Sequence, residues 1–174
     1  MATIFFISDT HFGHEKVARL RGFNSSVEHD EFIVTQVNKY VSTDDVLIHL
    51  GDVTMGNINY VGGYLRDFPV KPHLIIGNHD NYLWKFNKNK YDDYLQYFST
   101  IRQFASYDIF LISHFPYGND AFLMDRGTPL IHGHTHSTEK LSYSEAGTPQ
   151  VCVCWDAWNR PASLSEIKKV WRAA

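Results

Sequence analysis

Aspartate, asparagine and histidine, side chains that bind divalent metals or move protons, recur in this chain just after short apolar runs. Ile4–Ile7 runs out into Ser8-Asp9-Thr10-His11, and Asp45–Leu50 into Gly51-Asp52. His73–Ile76 leads to Gly77-Asn78-His79-Asp80, Ile109–Ile112 to Ser113-His114, and Leu130–Ile131 to His132-Gly133-His134-Thr135-His136. The runs are too short for helices and rich in Ile, Val, Leu and Phe, so each reads as a core strand. If the strands of a sheet end on one edge, groups placed just past those ends converge on one crevice. Mixed carboxylate, amide and imidazole donors suit borderline divalent ions such as Mn, Fe, Co, Ni or Zn, whereas an all-oxygen cage suits Ca or Mg.

Each block also has an ordinary reading. Gly-Asp after a strand is a common turn. Asp9 and His11 alternate and can face one ligand, yet two polar residues after a buried strand are also what a loop contains. Three consecutive ligand-type side chains, Asn78-His79-Asp80, serve packing less readily, although Asp80 also suits the cap of a following helix. His132, His134 and His136 alternate along an extended segment, so two of them can point into one site, and Gly133 permits close backbone approach. His14, three residues after His11, turns toward the same side on an opening helix, where it could support His11. His29, His49 and His73 lack such partners and are assigned no function. Arg126 and Arg160 are candidate anion clamps on loops, but most arginines simply solvate a surface.

Helical patterns lie between the runs. Ser25 and Glu28 have capping-box spacing, and Ile33, Val34, Val37 and Val41 predict an amphipathic helix over 28–42. A second helix is expected over Asn59–Phe68, and Tyr82–Lys90 and Tyr91–Thr100 read as helical or irregular insertions. Ser163 and Glu166 repeat the capping-box spacing before Leu164, Ile167, Val170 and Trp171, which give a terminal helix one apolar face. Val151–Trp155 reads as a further strand. Strands alternating with helices define an α/β layered fold, and with no linker or repeat inside the 174 residues a single domain over 1–174 is expected.

Composition narrows the classes. With 16 basic and 19 acidic residues and a net charge of −3, the chain lacks the lysine and arginine excess that grips long nucleic acid. The opening apolar run is too short for a signal peptide or a membrane span, so a cytoplasmic protein is expected. Cys152 and Cys154 stand one residue apart, where a bridge is disfavoured, and read as buried thiols of a reducing compartment.

In order, Asp9–His11, Gly51-Asp52, Gly77–Asp80, His114 and Gly133–His136 resemble the calcineurin-like metallophosphoesterase signature over residues 4–136. Asp9-Thr10-His11-Phe12-Gly13-His14 and Trp155-Asp156-Ala157-Trp158-Asn159 look like the small stand-alone bacterial and bacteriophage branch. The resemblance implies a four-layer α/β/β/α sandwich and two divalent ions. One ion would be held by Asp9, His11 and His136, the other by Asn78, His114 and His134, with Asp52 bridging both. The family's Gly-Asp-x-x-Asp block departs here, since Met55 stands at its last position.

The implied activity is phosphoester hydrolysis by a metal-bridging hydroxide, on a centre that keeps a net charge of about +2 for an anionic substrate. His79 is the candidate proton donor to the leaving group, with Asp80 hydrogen-bonding its ring, and Asn78 and His14 the candidate substrate contacts. Asp156 and Asn159 could join the rim. Small phosphodiesters or nucleotides are the expected substrates, with no long nucleic acid and no membrane as partner. Tyr82, Trp84 and Phe115 are candidates to stack a base. A phosphomonoesterase is the nearest alternative, and a metal-binding scaffold without turnover a more distant one.

Overall fold

The computed structural model describes residues 2–80, 88–118 and 123–173. Ile4–Ile7 forms β1, Val46–His49 β2, His73–Ile75 β3 and Thr100–Arg102 β4. These lie parallel in the order β1-β2-β3-β4, and the short β10 (Ala162–Ser163) runs antiparallel along the outer side of β1. The second sheet has the order β5-β6-β7-β9-β8, built from β5 (Phe104–Tyr107), β6 (Phe110–Ser113), β7 (Leu130–His132), β8 (Leu141–Tyr143) and β9 (Pro149–Cys152). Its central strands β6, β7 and β9 are parallel, and β5 and β8 flank them antiparallel.

Parallel strands buried on both faces carry apolar residues in both directions. In β1, Phe5 and Ile7 face the helices α2 (Ser26–Tyr40) and α3 (Ile58–Arg66), packing with Ile33, Val37, Val61 and Leu65. Phe6 faces the other way, into the space between the sheets, where it joins Ile75, Ile112, Ile131 and Val151. The remaining helices are α1 (Glu15–Leu20), α4 (Lys88–Leu95), α5 (Trp155–Trp158) and α6 (Leu164–Arg172). The last lays Ile167 against the inter-sheet core beside β1, β9 and β10. Two sheets flanked by helices result, as the sandwich reading expects. Among the described residues no helix is long and apolar enough to cross a membrane.

Most expected elements form within a residue or two of their predicted limits. Val151–Trp155 differs, because its strand starts at Pro149 and stops at Cys152, after which Trp155 donates its N–H to Ser8 O (3.0 Å) and opens α5. The Tyr91–Thr100 segment is the end of α4 followed by the start of β4 at Thr100, and residues 81–87 of the other insertion lie outside the described residues. The missing α1 is instructive. Its N-cap is His14, whose imidazole Nδ1 accepts from Val17 N, in place of the hydroxyl or carboxylate that marks most helix starts.

At α6, Ser163 Oγ accepts from Glu166 N (3.3 Å) while the Glu166 carboxylate accepts from Ser163 N (3.0 Å). Ser163→Ala removes the side-chain half of this reciprocal cap. Urea unfolding of that variant is expected to give a loss of about 1 kcal/mol, with the fold retained.

Candidate metal centre

The parallel strands of both sheets end on a common edge. The sheets are joined there by a parallel bridge between Ser8 and Cys154, and Asp9 N donates to Gly51 O (3.0 Å) while Gly133 N donates to His114 O (2.9 Å). Past the strand ends the chain turns through left-handed conformations at Asp9 (φ 59°), His11 (48°), Asp52 (55°), His134 (71°) and His136 (50°). Such values are uncommon outside glycine and gather at functional sites. They also replace the extended alternation expected for Asp9/His11 and for His132–His136: convergence is achieved by turns, not by strand periodicity. The loops touch so closely that a Cβ on Gly77 would overlap the Asp52 carboxylate and the His114 ring, and one on Gly133 would overlap Ser8 and Asp9.

Two groups of ligand-type atoms result, each within a 4.8 Å span: Asp9, His11 and His136, and Asp52, His114 and His134. Asp52 lies between them, its Oδ2 3.8 Å from His11 Nε2 and its Oδ1 3.5 Å from His114 Nε2. Asn78 Oδ1 sits 2.9 Å from both His114 Nε2 and His134 Nδ1. His114 Nδ1 faces the carbonyl of Leu50 at 2.6 Å, an acceptor only, so Nδ1 carries a proton and neutral His114 turns a bare Nε2 lone pair toward Asn78. Two acceptors facing each other repel unless a cation lies between them. In the other group the His11 and His136 Nε2 atoms are 3.1 Å apart, and buried Asp9 Oδ1, 3.6 Å from His136 Nε2, finds no hydrogen-bond partner among the described residues. The donor set and its unmatched lone pairs therefore fit divalent metal ions.

The electrostatics agree. Burial, together with the charges of Asp9 and Asp80, pushes the Asp52 carboxyl up to about 8. Burial raises Asp9 as well, but charge on the neighbouring imidazoles, where they are protonated, and the hydrogen bond from the Ser8 hydroxyl hold that carboxyl below its ordinary value. Burial drives His11 down to about 3 and lowers His114, so both imidazoles stay neutral, the form that binds metal.

His79 stands at the mouth, its side chain 36% exposed and Nε2 3.9 Å from Asp52 Oδ2, while its backbone N–H donates to Asp52 Oδ1 (2.8 Å). Burial lowers its pKa. Asp80 corrects an expectation. Its carboxylate does not hold the His79 ring; it accepts from the backbone N–H groups of Asp52 (2.9 Å), Val53 (3.2 Å) and Gly77 (2.9 Å), because the fully buried loop offers those donors on the inner side. Met55, the departure from the family block, is 47% exposed. The ring of His14 stands edge-on to that of His11, 5.9 Å between centroids. His132 Nδ1 bonds Gly133 O (2.8 Å), and the residue joins neither ligand group. Phe115 lies beside the rings of His114 and His134, whereas Tyr82 and Trp84 fall outside the described residues. Arg160 is committed to Glu166, and Cys152 and Cys154 are buried free thiols.

Asp156 accepts from His136 Nδ1 at 2.9 Å and binds Arg21 through both oxygens. Arg21 carries no sequence signal of its own; only its closeness to the Asp-x-His-x-x-His stretch could have drawn attention to it.

Residues 2–169 match the family model for calcineurin-like phosphoesterases. The chain belongs to that family and is a metal-dependent phosphoester hydrolase. The gene 66 protein of Mycobacterium phage L5 is 31% identical over 194 residues, covering 96% of this chain and 93% of that protein. Its counterpart in Mycobacterium phage D29 is 30% identical over 194 residues, covering 98% and 96%. Among solved structures, a protein of unknown function from Aquifex aeolicus is similar with a TM-score of 0.68 and 25% identity, over 98% of this chain and all of its own.

With its pKa near 8, Asp52 favours the metal-free fold while protonated and ceases to do so as pH rises through that value. In chelator, the wild type is expected to lose stability relative to Asp52→Asn between about pH 4 and about pH 8, by a few kcal/mol at most. Urea unfolding across that range measures it, and equal slopes for the two proteins would contradict the assignment.

Proposed function

We propose that the protein is a phosphodiesterase acting on small phosphodiesters or nucleotides at a centre of two divalent ions. Asp9, His11 and His136 would hold one ion, Asn78, His114 and His134 the other, and Asp52 both. The observation that carries this reading is the placement of Asp52, whose two oxygens address His11 of one group and His114 of the other. Bound there, the ions would supply Lewis acidity toward phosphoryl oxygens and a water acidified to about pKa 7.

The chain's own groups do the rest. His79, tethered by its N–H to Asp52, presents a half-open imidazole able to protonate the leaving oxygen. Asp80 acts through the backbone: by gathering the N–H groups of Asp52, Val53 and Gly77 it fixes the loop that carries Asp52. His14, with Nδ1 engaged at the start of α1, keeps Nε2 for a substrate oxygen, alongside the Asn78 amide. Arg21, the guanidinium at this edge, directs its five N–H donors at Asp156, Asp9 O, Thr10 O and His29 and keeps none for phosphate. With Arg21 fully engaged, the described residues of the site offer no free guanidinium from this edge, which suits the singly charged diester better than the doubly charged monoester. Buried free thiols at Cys152 and Cys154 favour a reducing compartment such as the cytoplasm.

Hydrolysis of bis(p-nitrophenyl) phosphate and p-nitrophenyl phosphate, compared with Mn added, tests the substrate class. The diester is expected to give the higher kcat/KM, and both rates to vanish with EDTA. Preference for the monoester would establish a phosphomonoesterase, and hydrolysis of neither with ions bound would establish a scaffold. His79→Ala should lower kcat by about 10²–10⁴-fold while metal content stays at the wild-type level.

A further inference from the structure

A chain of polar contacts leads away from His136 into a part of the fold to which no role in the reaction has been assigned. Asp156 Oδ2 lies 2.9 Å from His136 Nδ1. Arg21 grips the same carboxylate with Nε to Oδ1 (3.0 Å) and Nη2 to Oδ2 (2.7 Å), a two-point contact that fixes the plane of the carboxylate. Arg21 is itself held. Nη2 also donates to Asp9 O (2.8 Å), and Nη1 faces His29 Nε2 at 3.0 Å. A guanidinium can only donate, so His29 Nε2 must be the unprotonated nitrogen and its proton must sit on Nδ1, which faces Asp30 Oδ1 at 2.8 Å. The second oxygen of Asp30 accepts from Gly13 N (2.7 Å), between His11 and α1. His29 and Asp30 are almost wholly buried on α2, and only 7% of the Arg21 side chain is exposed.

We propose that Asp156, Arg21 and His29 form a positioning relay for one of the two ion sites. Asp156 accepts a hydrogen bond from His136 Nδ1–H, which leaves the Nε2 lone pair facing Asp9 and His11. Arg21 sets the angle of Asp156 and, through Asp9 O, pins the left-handed turn that presents the Asp9 carboxylate. His29 completes the coordination of Arg21, so that the guanidinium cannot swing out to solvent. Two of the three ligands of this site, Asp9 and His136, thus depend on one arginine. Among the described residues the Asp52, His114 and His134 group makes no direct contact with Asp156, Arg21 or His29; His114 is oriented by Leu50 O and His134 by Asn78 Oδ1. The consequence is an asymmetric centre in which one ion can be weakened without the other. This inference rests on the two-ion reading given above.

Mn²⁺ titration of the metal-free protein by calorimetry, with wild type, Arg21→Lys and Asp156→Asn, tests it. Lysine keeps the charge but cannot make the two-point contact, and asparagine keeps the shape but loses the charge. The wild type is expected to bind two ions. Each variant is expected to bind one with wild-type affinity and the other about 10–100-fold more weakly. Nitrogen-15 histidine spectra of the metal-free proteins supply a readout independent of any ion: His136 should hold its proton on Nδ1 in the wild type and lose that preference in both variants. Should Arg21→Lys fail to fold, Asp156→Asn, at a partly exposed position, carries the test. Two full-affinity ions in a folded variant, with the tautomer unchanged, would overturn the relay and leave the two-ion reading intact. Fewer than two ions in the wild type would instead overturn the reading beneath it.

Discussion

Three carboxylates, those of Asp9, Asp52 and Asp80, are buried to within 1% exposure at one edge of a sandwich, and the rest of the structure accommodates that fact. Like charges removed from water are costly unless they are paired or richly hydrogen-bonded. Asp80 is satisfied by backbone donors. Asp9 accepts from the Ser8 hydroxyl and from His134 N, and Asp52 from His79 N, but each still presents an oxygen to imidazole nitrogens. Burial favours the neutral form of His114, whose other nitrogen is committed to Leu50 O, so it does not neutralise them. Metal-free, the site is relieved by keeping Asp52 protonated up to about pH 8, and divalent ions held by these groups would let all three carboxyls ionise.

This requirement explains why the site was the most legible part of the chain. Chemistry demands particular side chains at particular strand ends, and Asp9, His11, Asp52, Asn78, His114, His134 and His136 stand out from the apolar runs before them. The strands were legible for a related reason: buried on both faces, Ile4–Ile7 and Leu74-Ile75-Ile76 are unbroken apolar stretches. The short outer strands were not. β4 and β8 are partly exposed and carry no apolar run, and β10 spans only two residues.

What sequence could not reveal is how the groups are aimed. Alternation along an extended chain would place Asp9 and His11 on one side, whereas the protein reaches that outcome through left-handed residues, a choice made by loop-to-loop contact across Gly77 and Gly133. Asp80 is a local case of the same blindness. Its neighbour in sequence is His79, but two of its three amide partners are 27 and 28 positions away. Arg21 and Asp156 lie 135 residues apart, and only the closing of the two sheets on each other makes them a pair.

Each ligand group draws on both sheets. Asp9 and His11 follow β1 while His136 follows β7, and Asp52 follows β2 while His114 and His134 follow β6 and β7. Ions seated there would act as rivets through the sandwich, adding a mechanical duty to a chemical one. A cell short of the divalent metal would hold a looser molecule, more easily opened and degraded, so the abundance of this hydrolase would follow the metal supply that its catalysis requires.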